Sequence, residues 1–222
     1  LYDKQDRAGG MVLAGSIPKI KFDIANYVDY LNEMLEQCAS EYKLERKFNS
    51  EASKEELRQF EAVVIATGSK SFMPSIPGVD SNHVVDGIDL LLKPELADGA
   101  NKIVVVGGGA VGCEIAYYLA YELNKAEITV LEMLPHMMKE LCTANRGYLI
   151  HYLEKKEVKL WNCTRLKSIA SKEVTVVRNV SPTVPDPYIT WSPLLPENIP
   201  NPLEKPIKLK EEEITISADL VV

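Results

Sequence analysis

The apolar residues change their period along the chain, and each change predicts an element. Ile24, Tyr27, Val28, Leu31, Met34 and Leu35 recur at the three-and-four spacing of an amphipathic helix. "SKEELRQF" reads as a shorter, more charged helix that Ser53 can cap. The pattern then contracts to "EAVVIATGS", a β-branched run closed by Gly, which predicts a buried strand leading into a tight turn. "MPSIPGVD" is a Pro/Gly loop, and "DGIDLLLKPEL" a short helix and connector.

From position 99 the pattern starts afresh. "NKIVVVGGGAVGCEIAYYLAYELNKAEITVLEM" reads strand, Gly turn, helix, strand. This is one βαβ unit with a right-handed connection, its helix predicted to bury Val111, Ile115, Leu119 and Leu123. "NRGYLIHYLEKKEVKLW" adds a helix and a strand, and "KLKEEEITI" reads as the solvated start of another strand. Between these, eight of the thirteen prolines fall from Pro182 to Pro206. So much Pro excludes a central strand or a helix and predicts a long, semi-rigid, extended loop over 181–206. That loop is either a surface excursion between two strands or a docking surface anchored by Tyr188 and Trp191. Both chain ends, "LYDKQDRAGG" and "ADLVV", read as strand interiors, so the expectation is a piece of a longer protein.

Composition narrows the function classes. The 222 residues carry a formal net charge of −7, which argues against a general nucleic-acid or anionic-membrane partner. No apolar run approaches the ~18 residues of a membrane span, and the expected location is the cytoplasm. Cys38, Cys113, Cys142 and Cys163 form no CxxC pair, so no zinc ribbon, redox dithiol or closely spaced iron–sulfur motif is encoded. The glycosylation patterns at Asn162 and Asn179 are chance matches in a cytosolic chain. His83, His136 and His151 have no metal-ligand spacing, and neither GxSxG nor HExxH occurs. Met133, Met137 and Met138 are expected to pack in a core or between domains.

Chemistry concentrates in "VVVGGGAVGCE". Gly107, Gly109 and Gly112 stand at GxGxxG spacing between a strand and a helix. Gly107 permits the tight turn, Gly109 the close approach of a pyrophosphate, and Gly112 close helix–strand packing. Ala110, Val111 and Gly112 open the helix, whose free N–H groups and partial positive charge face the phosphates. Glu132 ends "ITVLE" twenty positions beyond Gly112, where a carboxylate accepts from a ribose 2′-hydroxyl and repels a 2′-phosphate. NADH is therefore expected over NADPH. Asp3, after Leu1 and Tyr2, holds the position in a second, incomplete unit that Glu132 holds in the complete one.

The succession of "LYDKQDRAGG", "VVIATGSKSFMPSIPGVD", "GGGAVGCE", "TVLEMLPHMMKEL" and "ADLVV" resembles the flavoproteins with two dinucleotide-binding domains, most closely the C-terminal region of the 2-enoate reductase and 2,4-dienoyl-CoA reductase family. The resemblance implies an α/β fold: a Rossmann-like three-layer NAD-binding domain, residues 99–209, inserted into a truncated FAD-binding domain of the same kind, residues 1–98, with a return strand toward the FAD domain over 210–222. It places the FAD ribose acid on Asp3, a following glycine pair on Gly9 and Gly10, and the loop against FAD on Ala66, Thr67 and Gly68. The NADH turn falls on Gly107, Gly109 and Gly112, the NADH ribose acid on Glu132, and a glutamate near the nicotinamide on Glu114. For the intact parent it implies an N-terminal TIM-barrel domain with FMN and [4Fe–4S], which receives electrons from NADH through FAD and reduces an activated C=C bond. A homo-oligomeric parent is compatible with this. No catalytic residue for that reduction lies in this sequence, and no metal ligand. The alternatives are a non-catalytic ADP-binding module, as in a trimethylamine-dehydrogenase-like enzyme, or part of a freestanding NADH oxidase.

Overall fold

A computed structural model describes residues 1–191, 198, 199, 201–203 and 205–222. The chain divides into two units, Leu1–Ser71 and Phe72–Val222.

The first unit is helical. It holds α1 (Met11–Gly15), α2 (Phe22–Glu41) and α3 (Lys54–Leu57). The predicted amphipathic helix forms, but of its apolar stripe only Val28 is buried; Ile24, Tyr27, Leu31 and Met34 stay exposed. The five-residue α1, which brings Leu13 and Ala14, is too short to cover a twenty-residue helix. Ser53 caps α3 in a complete capping box: its hydroxyl accepts from the Glu56 N–H, and the Glu56 carboxylate accepts from the Ser53 N–H.

The predicted strand at "EAVVIATGS" is not formed. Residues 61–71 are in neither strand nor helix, with Val64 90% and Ile65 81% exposed. Strand propensity needs a neighbour to satisfy the backbone, and the described residues of this unit contain no sheet. Its one strand-like pairing is the isolated bridge Tyr2↔Lys47, so Leu1 and Tyr2 do not end a strand either.

The second unit is a three-layer α/β structure. Its parallel sheet has the order β3-β2-β1-β7, from β1 (Lys102–Val106), β2 (Glu127–Leu131), β3 (Lys159–Trp161) and β7 (Leu220–Val221). The strands alternate between two covered faces. Val104, Leu131 and Val221 pack against an antiparallel meander of β4 (Thr164–Ala170), β5 (Glu173–Asn179) and β6 (Glu211–Ser217), through Leu166, Ile169, Val174 and Val176. The other face meets α5 (Ala110–Tyr121), where Val105 comes within reach of Gly112. Burial on both sides is why β1 reads as the unbroken apolar run "IVVV".

Helix α6 (Thr143–Lys155) packs beside α5, held by the Tyr121 hydroxyl donating to the Tyr152 carbonyl and by Tyr117 and Tyr121 edge-on to Tyr152. Helix α4 (Gly87–Leu92) is capped by the Asp86 carboxylate. Residues 210–222, read as a return toward the first domain, supply β6 and β7 to the two sheets of this unit. Two details of the sequence reading change: Val111 is exposed in the first turn of α5, and Cys113, Ala116 and Ala120 join Ile115 and Leu119 in its buried face.

The described part of the proline-rich segment contains no helix or strand. It is pinned at both ends by buried amides. Asn162 donates to the Pro135 and Pro185 carbonyls, and Asn179 donates to the Lys208 carbonyl. Both asparagines of the glycosylation patterns are thus core groups. Tyr188 is half-buried, its hydroxyl donating to Val158 O at 2.7 Å and accepting from Leu160 N at 3.1 Å, whereas Trp191 is exposed. The remainder of the predicted 181–206 loop, at 192–197, 200 and 204, lies outside the described residues.

Candidate functional site

The carboxyl ends of β1 and β2 form the site. Lys102 to Val106 run straight into Gly107, whose φ of 112° lies in the region that only glycine adopts freely. The chain then turns so sharply that a Cβ on Gly112 would stand 1.9 Å from the Gly107 carbonyl oxygen. Gly112 is therefore a contact requirement between the helix and the turn. Around Gly109, by contrast, a Cβ would meet nothing within 4 Å, which is the open space a phosphate needs.

Helix α5 presents its N-terminus there without a side-chain cap and without an acidic residue in the first turn. Its first donors are left for an anion, to which the helix dipole adds attraction. The sequence reading named Ala110, Val111 and Gly112 for this role, and the structure places them in that first turn.

Glu132 reaches the turn from the end of β2. One carboxylate oxygen accepts from the Gly108 N–H at 2.8 Å and the other from the Leu134 N–H at 2.7 Å. The acid is thus tied to the glycine turn rather than merely near it. Gly108, the middle residue of the triplet, was not singled out by the motif. It is buried, and a Cβ there would lie 2.4 Å from the Met137 sulfur and 2.7 Å from Glu132 Cβ. The Met138 N–H closes on the Gly108 carbonyl, so Met137 and Met138 form the floor of the turn, while Met133 is exposed. The three consecutive glycines were the available signal.

Below the turn lies Cys113, fully buried, its thiol 3.6 Å from the Gly108 carbonyl. Burial pushes this thiol up to about 12, and the Glu132 and Glu114 carboxylates push the same way. It is a packing group kept protonated, not a nucleophile. Glu114 lies partly buried on the second turn of α5.

In the first unit, Asp3 accepts from the Gln5 N–H at 2.9 Å. Gly9 and Gly10, with φ of 136° and 50°, lead into α1. Ala66, Thr67 and Gly68 are exposed and make no hydrogen bond to Asp3 or to the glycine pair. No hydrogen bond joins these positions within the unit. The glycine turn of the second unit, by contrast, has an uncapped helix end and open space beside Gly109.

A cavity of about 620 Å³ opens at the opposite, amino-terminal edge of the parallel sheet. Two of its charged groups are committed internally: the Lys125 ammonium donates to the Ala97 and Ala100 carbonyls, and Asp219 accepts from the Asn101 and Lys102 N–H groups. Among the described residues no group of three or more His, Cys, Asp or Glu could hold a metal, and no helix is long and apolar enough to cross a membrane.

Comparison with known proteins gives a consistent picture. The pyridine nucleotide-disulphide oxidoreductase family model matches residues 12–186. A bilirubin reductase of Mediterraneibacter gnavus is 30% identical over 174 residues, covering 78% of this chain and 26% of its own length. A cinnamate reductase of Clostridium sporogenes is 32% identical over 159 residues, covering 69% of this chain and 22% of its own. The chain thus spans about a quarter of the length of these relatives. Among solved structures, a 2-naphthoyl-CoA reductase in complex with 2-naphthoyl-CoA superposes with a TM-score of 0.74 at 23% identity, over 99% of this chain and 28% of that one, which establishes likeness of fold.

Proposed function

Because the chain belongs to the pyridine nucleotide-disulphide oxidoreductase family, whose members are flavin-dependent NAD(P)H oxidoreductases, we propose that its glycine turn is the NADH site of a reductase of the enoate-reductase kind. Gly107 and Gly109 admit the pyrophosphate, the first turn of α5 donates to it, and Glu132 receives the adenosine ribose. Glu114 lies toward the nicotinamide. The observation that carries this reading is the pairing of an uncapped helix end with Glu132, already aligned by the Gly108 N–H.

In the same reading Asp3, Gly9, Gly10 and Ala66–Gly68 belong to an FAD domain that the rest of a longer polypeptide completes. Bound flavin supplies the two-electron acceptor for nicotinamide. Beyond it stands a TIM-barrel domain with FMN and [4Fe–4S] that reduces an activated C=C bond. The names of the two reductase relatives support this direction.

Calorimetric titration with NADH, NADPH and ADP tests the site. NADH and ADP should bind, and NADPH at least about tenfold more weakly, because its 2′-phosphate meets the Glu132 carboxylate. Equal binding of NADPH would remove Glu132 from the ribose, and binding by none of the three would overturn the assignment. For the longer polypeptide the test is NADH oxidation dependent on an enoate or enone. If nucleotide binds but added flavin is never reduced by NADH, the region is a non-catalytic ADP module instead.

A further inference from the structure

One side chain in the second unit breaks the pattern of its helix. The inward stripe of α6 is Arg146, Leu149, Ile150 and Leu153, all buried, with Arg146 only 7% exposed. No hydrogen bond or ion pair reaches its guanidinium among the described residues, and its Nε is buried without a partner. Its Nε is withdrawn from water without an acceptor, a costly state for part of a charged group, while the two terminal nitrogens keep access to the surface. Burial alone lowers its pKa, and no carboxylate acts in the other direction.

The helix end beside it is equally unsatisfied. Cys142, at the cap position, makes no side-chain bond to the first turn, which contains no acidic residue. The N–H groups of Thr143, Ala144 and Asn145 have no partner among the described residues. Side chains of an α-helix lean toward its N-terminus, which sets Arg146, the fourth residue of α6, on the side of these donors. Because α6 follows β2 and precedes the parallel strand β3, its N-terminus is at the carboxyl edge of the sheet, where parallel sheets hold their ligands.

We propose that Arg146 and the first turn of α6 form a binding site for a phosphate-class oxyanion. The guanidinium offers a planar fork of donors and the helix end three more. A tetrahedral dianion has the acceptor oxygens to engage both. The proposal does not depend on the glycine turn being an NADH site. The phosphate has two candidate sources, a free phosphate and a phosphate group of a nucleotide held at the same edge.

The test titrates inorganic phosphate into the 222-residue chain in chloride buffer at constant ionic strength, by calorimetry and phosphorus NMR. Arg146→Met should weaken phosphate at least about tenfold, the loss expected for a charge-assisted pair. Thr143→Pro removes one N–H at a helix position that proline favours. The preceding Cys142, at ψ 146°, is already extended as proline requires. It should weaken phosphate roughly threefold with unchanged far-ultraviolet dichroism. If Arg146→Met does not fold, Thr143→Pro alone decides. A parallel loss of NADH affinity in either variant assigns the phosphate to the nucleotide, and unchanged NADH affinity beside weakened phosphate assigns it to a free anion. Phosphate and NADH titrations that both variants leave at wild-type affinity, or a wild-type chain that takes up no phosphate while NADH affinity is also unmoved in the variants, would overturn the proposal.

Discussion

Residues 62–66, "AVVIA", and 102–106, "KIVVV", are nearly the same message in two places, yet only the second is a strand. The second lies between β2 and β7 with Val104 1% exposed, while in the first Val64 is 90% exposed. Intrinsic preference is alike in both. What differs is the presence of a neighbouring ladder and of a helix and a meander to cover two faces. A β-branched run therefore marks where a strand can be accepted, and its partners decide whether it is.

The comparison can be broken in several ways. The largest contrast concerns cofactors: the chain should bind NADH but purify without stoichiometric flavin absorbance. A yellow product would show that the first unit closes on FAD regardless of its exposed segment. Next comes Gly112→Val, which forces a Cβ into the Gly107 carbonyl. It should destabilise the second unit by about 3 kcal/mol and abolish NADH binding, read by chemical denaturation and calorimetry.

A matched pair follows. Val104→Ala should cost about 2 kcal/mol, and Val64→Ala less than about 0.5 kcal/mol. Similar losses at both sites would mean that the exposed run is packed in solution.

A subtler effect is the response to alkali. The Cys113 thiol is raised in the folded chain to about 12 from its ordinary value of 9.0. Its stabilising contribution is complete below about pH 9 and is lost as the pH rises toward about 12, because the unfolded chain ionises first. The stability slope over that window should flatten in Cys113→Ala. The smallest effect is on the acid side. The Lys102 and Asn101 N–H groups hold Asp219 below the ordinary carboxylate range, so its contribution is present at neutral pH and fades as the pH falls through that lowered value. Asp219→Asn should remove that part of the acid dependence in a urea midpoint series.

Much of the second unit was legible in the sequence. The change from an unbroken apolar run to helical spacing around the glycine triplet located β1, α5 and β2, and in the first unit Ser53 announced a cap that is present in full. Those signals are local, and local chemistry is enough to satisfy them. The rest depends on distant residues. That Val111 faces outward follows from its place in the helix's open first turn, which a fourfold count cannot register. That Gly108 must be glycine follows from Met137 and Glu132 closing over it, and that Arg146 is buried follows from the packing of its helix, which no local signal marks.

One hydroxyl governs more than its two bonds suggest. Strand β3 is the last in its sheet, and its outward groups, Val158 O and Leu160 N, are both engaged by Tyr188. A stray strand arriving at that margin finds its first docking point occupied. The proline-rich excursion thus acts as a selvedge, a woven border that keeps the fabric from unravelling or from being stitched to its neighbour. A chain with Phe at position 188 would keep its fold and its glycine turn while its solutions became prone to edge-to-edge assembly.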